Sequence, residues 1–312
     1  MRILISGVGG DIGFGIGKIL KNLNFVTHIF GIDVHNDHPG NILFDECYIV
    51  PVASSLNYIS CLSDIIDKNQ VDIFIPSSEA EIELLSLLDK NNISTAKVLL
   101  SNKFMVNKCL HKDKCLSFLK SIGVKTPCHG LVGGDEPTEY PVIAKPNSGR
   151  GSKGLKKIKS KEGFMKFLEN CPDNFVWQQY LSPDDQEYTC AIFKSDGIDF
   201  RSIIIKRELS QGFTSKGEVV ENIEIKEYIH KIAESFDLDG VMNIQLRLTE
   251  DGPMVFEINP RLSSTLVFRD MLGFKDLEWW IQSKVGQTIL PYNKPKEGTL
   301  FYRGISEHII KS

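Results

Sequence analysis

The chain has no Cys-x-x-Cys pair, no internal repeat, no low-complexity tract and no apolar run near the ~20 residues that span a bilayer. No membrane partner is therefore expected. Its seven cysteines, at 47, 61, 109, 115, 128, 171 and 190, form an odd and scattered set that reads as reduced thiols of a cytoplasmic protein. Charge of one sign is also missing. The net charge is −4 with both signs interspersed, and the lysines at 153, 156, 157, 159 and 161 make a run short enough to be a solvated face, so nucleic acid is not an expected partner. The start, MRILISGVGG, runs from a strand into glycines and lacks the pattern of a signal peptide. His35 and His38 sit in a polar loop with Asp and Pro and read as surface histidines.

What is present is 312 residues of ordinary apolar content, enough for two or three domains. Residues 2–6 form a buried-strand candidate, followed by Gly7, Gly9, Gly10 and Gly13, an apolar helix over 16–23, and a strand over 28–32 that ends at Asp33. This is the layout of a dinucleotide fold, in which glycines admit a tight turn and the acid holds a ribose. A nicotinamide-dependent oxidoreductase is one reading, against which the spacing G-x-G-x-x-x-G departs from G-x-G-x-x-G. A strand over 48–52, a helix over 56–68, a strand over 73–76 and a helix opened by Glu79, Glu81 and Glu83 continue the β-α alternation. The class is α/β, with a parallel sheet covered by helices on both faces. The acidic helix start reads as helix-dipole chemistry.

From about Val98 the pattern changes. HKDKCLSFLKSIGVKTP is an amphipathic helix stopped by Gly123, with Pro127 in an extended linker. A strand over 141–145 leads into Asn147-Ser148-Gly149-Arg150-Gly151-Ser152-Lys153-Gly154 and returns as a strand over 155–158. Glycines among small polar residues let backbone N–H groups wrap an anion, so this hairpin reads as a phosphate flap rather than a flexible linker. Residues 174–181 and 187–193 are strands, and an extended segment over 178–181 suits an adenine edge while Glu187 suits ribose hydroxyls. A strand over 200–206 leads to Arg207, which meets phosphate or acceptor or is a surface arginine, and then to a polar, mobile-looking stretch over 212–217. Helices are expected over 225–236 and 277–285, with Trp279 and Trp280 in the core, and a last strand over 299–302 before Arg303.

The most informative stretch is GVMNIQLRLTEDGPMVFEINPRLSS, residues 240–264. It reads as two strands joined by a turn at Glu250, Asp251 and Gly252. Met242, Ile244, Leu246 and Leu248 share one face, and Asn243, Gln245 and Arg247 the other. On the second strand, Met254, Phe256 and Ile258 form the apolar side and Val255, Glu257 and Asn259 the polar one. A three-residue turn pairs Gln245 with Glu257 and Asn243 with Asn259. Such an oxygen-rich surface suits Mg²⁺ with its phosphates, and Arg261 beyond it suits a phosphoryl group.

In order and spacing these pieces resemble the ATP-grasp superfamily, most closely its carbamoyl phosphate synthetase large chain-like branch. The likeness runs from about residue 105 to 290 and is carried by HKDKCLSFLKSIGVKTP, PVIAKPNSGRGSKG, VWQQYL with Glu187, GVMNIQLRL and VFEINPRLSS. It implies a Rossmann-like pre-ATP-grasp domain over 1–100, a linker helix and lid over 101–182, and a central and C-terminal α+β domain with the metal site over 183–312. In relatives the first domain usually binds no dinucleotide.

Position by position, Lys112 matches the first nucleotide-binding lysine, with Asp113-Lys114 as a rival register. Lys145 matches the second, and Gly149, Gly151, Ser152 and Gly154 the flap. Gln178 and Gln179 stand where relatives often carry Gln-Glu, Tyr180 and Leu181 match the hinge that meets adenine, and Glu187 the ribose acid. Gln245, Glu257 and Asn259 match the magnesium positions, with Mn²⁺ as an alternative ion. Arg261, Asn259 and Arg207 are the catalytic candidates. The implied reaction is ATP-dependent ligation of a carboxylate to an amine or other nucleophile through an acylphosphate, with ADP and phosphate as products. A non-catalytic nucleotide-binding module is a third reading. The partners expected are small-molecule carboxylate and amine, with dimerisation common among relatives. Glu79, Arg207, Arg261 and residues 263–265 are candidates for the acceptor region, and an amino acid, small peptide or sugar acid for the first substrate.

Overall fold

The computed structural model describes residues 1–88, 91–149 and 154–304. Gly151 and Ser152, at the centre of the expected flap, lie outside the described residues.

The first unit alternates β1 (Arg2–Ser6), α1 (Asp11–Leu20), β2 (His28–Asp33), α2 (Gly40–Leu43), β3 (Glu46–Ile49), α3 (Tyr58–Asn69), β4 (Ile73–Ile75) and α4 (Glu79–Leu87), and ends in β5 (Asn92–Ile93) and β6 (Ala96–Val98). Its sheet has the order β3-β2-β1-β4-β6-β5, parallel except for the last pair. The strand order reverses between β1 and β4, and at such a switch point the loops leaving two neighbouring strands part to form a crevice. Those loops carry Gly7–Gly10 and Ser77–Glu79.

The first helix starts earlier than its apolar run suggests and ends at Leu20, so Gly13, Gly15 and Gly17 lie inside it. A Cβ on Gly13 would stand 2.4 Å from the Gly7 carbonyl oxygen, so the glycine here permits close packing of helix on turn. Asp33 is committed as well, because its Oδ2 accepts from the Gly9 N–H at 2.9 Å. The acidic start of α4 does more than complement a helix dipole: buried Glu81 accepts from Ser6 Oγ, Tyr58 Oη and Ser78 Oγ.

The second sheet follows α5 (Lys103–Cys109) and α6 (Lys112–Ser121). It contains β7 (His129–Leu131), β8 (Val142–Pro146), β9 (Lys156–Ile158) and, after α7 (Lys161–Leu168), β10 (Phe175–Gln179). The order is β7-β10-β8-β9, antiparallel throughout. The third sheet collects β11 (Glu187–Ser195), β12 (Ile198–Ser210), β13 (Phe213–Val220), β14 (Gly240–Thr249) and β15 (Gly252–Asn259), with α8 (Ile223–Ser235) between β13 and β14. After α9 (Leu266–Met271) and α10 (Asp276–Val285), β16 (Leu300–Tyr302) closes its edge in the order β15-β14-β11-β12-β13-β16.

Of the stretch over 212–217, residues 213–217 belong to β13, where Thr214, Gly217 and Val219 turn inward and Gly217 leaves room for the Phe301 ring. No helix among the described residues is long and apolar enough to cross a membrane.

Two cores flank the third sheet. Cys190, Ile192, Ile204, Ile244 and Leu246 pack under α8, while Ala191, Phe193, Ile203, Ile205 and Val241 pack with the first unit and α10. Strand alternation then decides the site. Continuing along the second face from these apolar residues, β11 presents Thr189 and Glu187, β12 presents Arg207, and β14 presents Asn243, Gln245 and Arg247.

The register of the central hairpin is as read from the sequence, Gln245 opposite Glu257 and Asn243 opposite Asn259, but it is reached differently. Thr249 pairs with Gly252 across a two-residue turn, and a register shift between Gln245 and Leu246 supplies the extra residue. The bulge reverses the expected sides only before Glu257, leaving Ile258 in the core and Glu257 and Asn259 on the polar side as expected. Val255 joins the core, whereas the Phe256 ring faces Lys145, whose Nζ is 5.5 Å from its centroid.

Gly13→Ala is expected to cost about 1–3 kcal/mol, because the new methyl group meets backbone that cannot move aside. Gly163→Ala, whose Cβ would make ordinary contacts of 3.4 Å or more, is expected to be neutral or stabilising. Urea unfolding midpoints at unchanged slope are the check.

Candidate active site

Three units meet over the polar end of the third sheet. From the second sheet, β8 delivers Lys145, whose Nζ lies 3.9 Å from Glu257 Oε2 on β15. Burial pushes the Lys145 ammonium down to about 8, with Glu257 opposing the fall and Lys112 adding to it. Burial works in the opposite sense on Glu257, to raise it, but Lys145, Lys112 and the Asn259 amide outweigh this and hold its carboxyl below the ordinary range. Asn259 Nδ2 donates to Glu257 Oε1 at 3.2 Å, which leaves the amide oxygen of Asn259 uncommitted by that bond.

Lys112 opens α6 and is buried, with its Nζ donating to the Gly149 carbonyl at 3.0 Å, whereas Lys114 is exposed. Asn147 holds this corner together. Its backbone carbonyl accepts from Lys112 N and its Oδ1 from Asp113 N, each at 3.0 Å, so the root of the flap caps the helix that carries Lys112. Gly149 and Gly154 both have positive φ, 105° and 77°, at the two ends of the loop.

At the other end of the cleft, Tyr180, expected as a hinge residue, donates its N–H to the Pro141 carbonyl, and Arg247 Nη1 donates to the Leu181 carbonyl at 2.6 Å. Arg247 Nη2 also reaches Glu187 Oε2 at 2.6 Å. Glu187 is gripped on its other oxygen by Arg207, at 3.1 and 2.8 Å, and Arg207 continues to Gln245 Oε1 at 3.0 Å. The expected ribose acid and one expected metal oxygen are thus both occupied by Arg207. Gln178 is buried with its amide nitrogen 3.5 Å from the Phe256 carbonyl, while Gln179 turns to the opposite side and accepts from Cys128 N.

Arg261, two residues past β15, is buried against the first unit. Its Nη2 donates to Glu79 Oε1 at 2.7 Å and its Nη1 to the Leu262 carbonyl at 2.9 Å.

Lys112, Lys145, Gly149, Glu257, Asn259 and Arg207 with Gln245 therefore gather at one cleft, and Tyr180, Leu181 and Glu187 line up at its far end. Among the described candidates, Gln179 points away, and Arg261 stands at the edge, paired with Glu79. Among residues given no site role from the sequence, Arg247 is already placed by strand alternation on the face of Gln245. Asn147 and the Phe256 ring are not legible in that way, because capping and bulge are tertiary features.

Comparison with known proteins gives the following. Residues 172–300 match the family model described as ATP-grasp in the biosynthetic pathway with Ter operon, and residues 3–100 match the PylC-like N-terminal domain. The C-terminal section of the carbamoyl phosphate synthase large chain of Aquifex aeolicus is 20% identical over 249 residues, 72% of this chain and 44% of that one. This chain spans 44% and 25% of the length of two such relatives.

Among solved structures, N5-carboxyaminoimidazole synthetase from Staphylococcus aureus complexed with ADP has a TM-score of 0.74 at 19% identity, covering 93% of this chain and 78% of that one. The L-amino acid ligase from Bacillus licheniformis has a TM-score of 0.69 at 15% identity, covering 90% and 73%. At these identities the likeness is one of fold.

For Lys145 to hold a polyphosphate, as the sequence leads one to expect, its ammonium would need to be charged. Because burial sets this group near 8, ADP affinity is expected to fall by up to about tenfold per unit as pH rises beyond that value, with proton uptake on binding. Lys145→Met should bind weakly and without that slope. Calorimetry in buffers of different ionisation enthalpy, from pH 7 to 9.5, provides the check.

Proposed function

Because residues 172–300 match an ATP-grasp family model and carbamoyl phosphate synthase large chains are among the similar proteins, we propose that this chain is an ATP-grasp enzyme, an ADP-forming carboxylate ligase. The observation that carries the reading is the convergence of two buried lysines, one carboxylate and one amide on a single cleft. Lys145 approaches Glu257 at 3.9 Å, Lys112 meets Gly149, and Asn259 braces Glu257.

In this reading Lys112, Lys145 and the backbone of the loop between Gly149 and Gly154 hold the phosphates of ATP. The hinge at Tyr180 and Leu181 receives adenine with Gln178, and Glu187 takes ribose hydroxyls with whatever accepting capacity Arg207 and Arg247 leave. Glu257 and Asn259 have the hard-oxygen chemistry that suits Mg²⁺, and Gln245 adds a third oxygen once Arg207 releases it. Bound there with the nucleotide, the ion would neutralise phosphate charge.

The chain's own residues have a positional and electrostatic task. Arg261 and Arg207 offer guanidinium groups to a substrate carboxylate and to the moving phosphoryl group, and the flap excludes water from a product that water would destroy. A carboxylate oxygen attacks the γ-phosphorus, the bond to the β-phosphate oxygen breaks, and ADP leaves. An amine then attacks the acyl carbon, a C–N bond forms as the C–O bond to phosphate breaks, and phosphate departs. One proton stays on the phosphate and one is released. No covalent protein nucleophile is required.

Neither rival reading draws comparable support. Asp33, which an oxidoreductase would offer to a ribose, accepts instead from Gly9 N–H. A binding module has no need for metal-type and phosphate-type groups in one cleft.

The test is ADP and phosphate release from MgATP against a panel of carboxylates, with hydroxylamine to trap the acylphosphate as a hydroxamate. At least one carboxylate is expected to stimulate release and yield hydroxamate, with Glu257→Ala lowering both by about 10²-fold or more. ATP binding without stimulation by any carboxylate would favour the binding module.

A further inference from the structure

Arg261 and Glu79 form an ion pair between two units of the molecule, at the edge of the cleft. Glu79 is the first residue of α4, beside the crevice between β1 and β4, and Arg261 follows the strand that carries Glu257 and Asn259. The contact is 2.7 Å, with side-chain exposures of 7% for Arg261 and 20% for Glu79. Two features distinguish it from a simple latch. The Nε of Arg261 is buried with no hydrogen-bond partner, so the guanidinium retains an unused donor. Glu79 also lines the same small cavity as Lys112, Gly149, Glu257 and Asn259, and of the two acids there Glu257 already answers to Lys145.

Consider what a ligand must do to use Arg261. A substrate carboxylate that takes the guanidinium displaces Glu79 and leaves two carboxylates side by side in a poorly hydrated place, an arrangement that is strongly unfavourable without a cation. A ligand that brings an ammonium within a few ångströms of its carboxylate removes this difficulty. One compensated pair is exchanged for two: carboxylate on Arg261, whose Nη2 is released by Glu79 and whose buried Nε has no partner of its own, and ammonium on Glu79. We infer that the first substrate is an α-amino acid, held as a zwitterion between Arg261 and Glu79. The inference rests on the ligase reading and narrows its carboxylate to one chemical class, disfavouring bicarbonate and simple carboxylic acids.

The experiment compares the twenty amino acids with their des-amino analogues, such as alanine with propionate and aspartate with succinate, in the hydroxamate assay with MgATP. The wild-type protein is expected to prefer an amino acid over its analogue by about 100-fold in kcat/KM, the scale of leaving a buried charge without its partner. Glu79→Gln should bring that ratio within about fivefold, by loss on the amino acid, since a neutral amide no longer compensates an ammonium. Glu79→Asp, which keeps the charge, should retain the preference and guards against misfolding of the Gln variant; ADP affinity measured in parallel reports on the integrity of the cleft. Equal use of des-amino analogues by the wild type, or an unchanged ratio in Glu79→Gln, overturns the inference while leaving the ligase reading intact. Absence of hydroxamate from every carboxylate overturns both.

Discussion

Lys145 and Glu257 stand 3.9 Å apart, both largely withdrawn from water, and most of the cleft follows from keeping that pair in place. An isolated buried charge is costly, so each must keep its partner, and the partners belong to different sheets. The second sheet is thereby tied to the third at the point where the groups of phosphate chemistry gather. The same logic recurs on the other side, where Arg261, just past the end of the third sheet's β15, answers Glu79 on the first unit. The cleft is a place where three structural units exchange charges, and its unliganded form is neutralised by the residues that a ligand would have to take over.

Compensation of this kind has a functional consequence. Arg207 holds both Glu187 and Gln245, so the acid and the amide oxygen proposed for ribose and metal are shielded until something displaces a guanidinium. Arg247 couples Glu187 to the carbonyl of Leu181 through one planar side chain.

The arrangement is possible because one face of the third sheet changes character along its strands. Near Phe193, Ile205 and Val241 it is apolar and packs on the first unit; two to six residues further it carries Glu187, Arg207, Gln245 and Arg247. Burial of the apolar half anchors the polar half, with α8 and its core behind it. The bulge in the central hairpin belongs to the same plan. It keeps Glu257 opposite Gln245 while sending Val255 into the core and the Phe256 ring toward Lys145.

Much of this was legible in the residues themselves. Period-two alternation separates Gln245 and Asn243 from Ile244 and Leu246, and β-α alternation in the first 100 residues prescribes a parallel sheet, because both depend on geometry local to a strand or to one crossover. The order of lysine, glycine loop, hinge and acidic hairpin likewise needs no coordinates. Tertiary structure decided the rest: that the register is set by a bulge instead of a three-residue turn, that residues 213–220 form a strand once Phe301 fills the space over Gly217, that Asp33 serves a glycine turn, and that Glu79, Glu187 and Arg207 already have partners. Each of these depends on which distant side chain arrives to satisfy a donor, an acceptor or a void, and local sequence pattern carries no information about that.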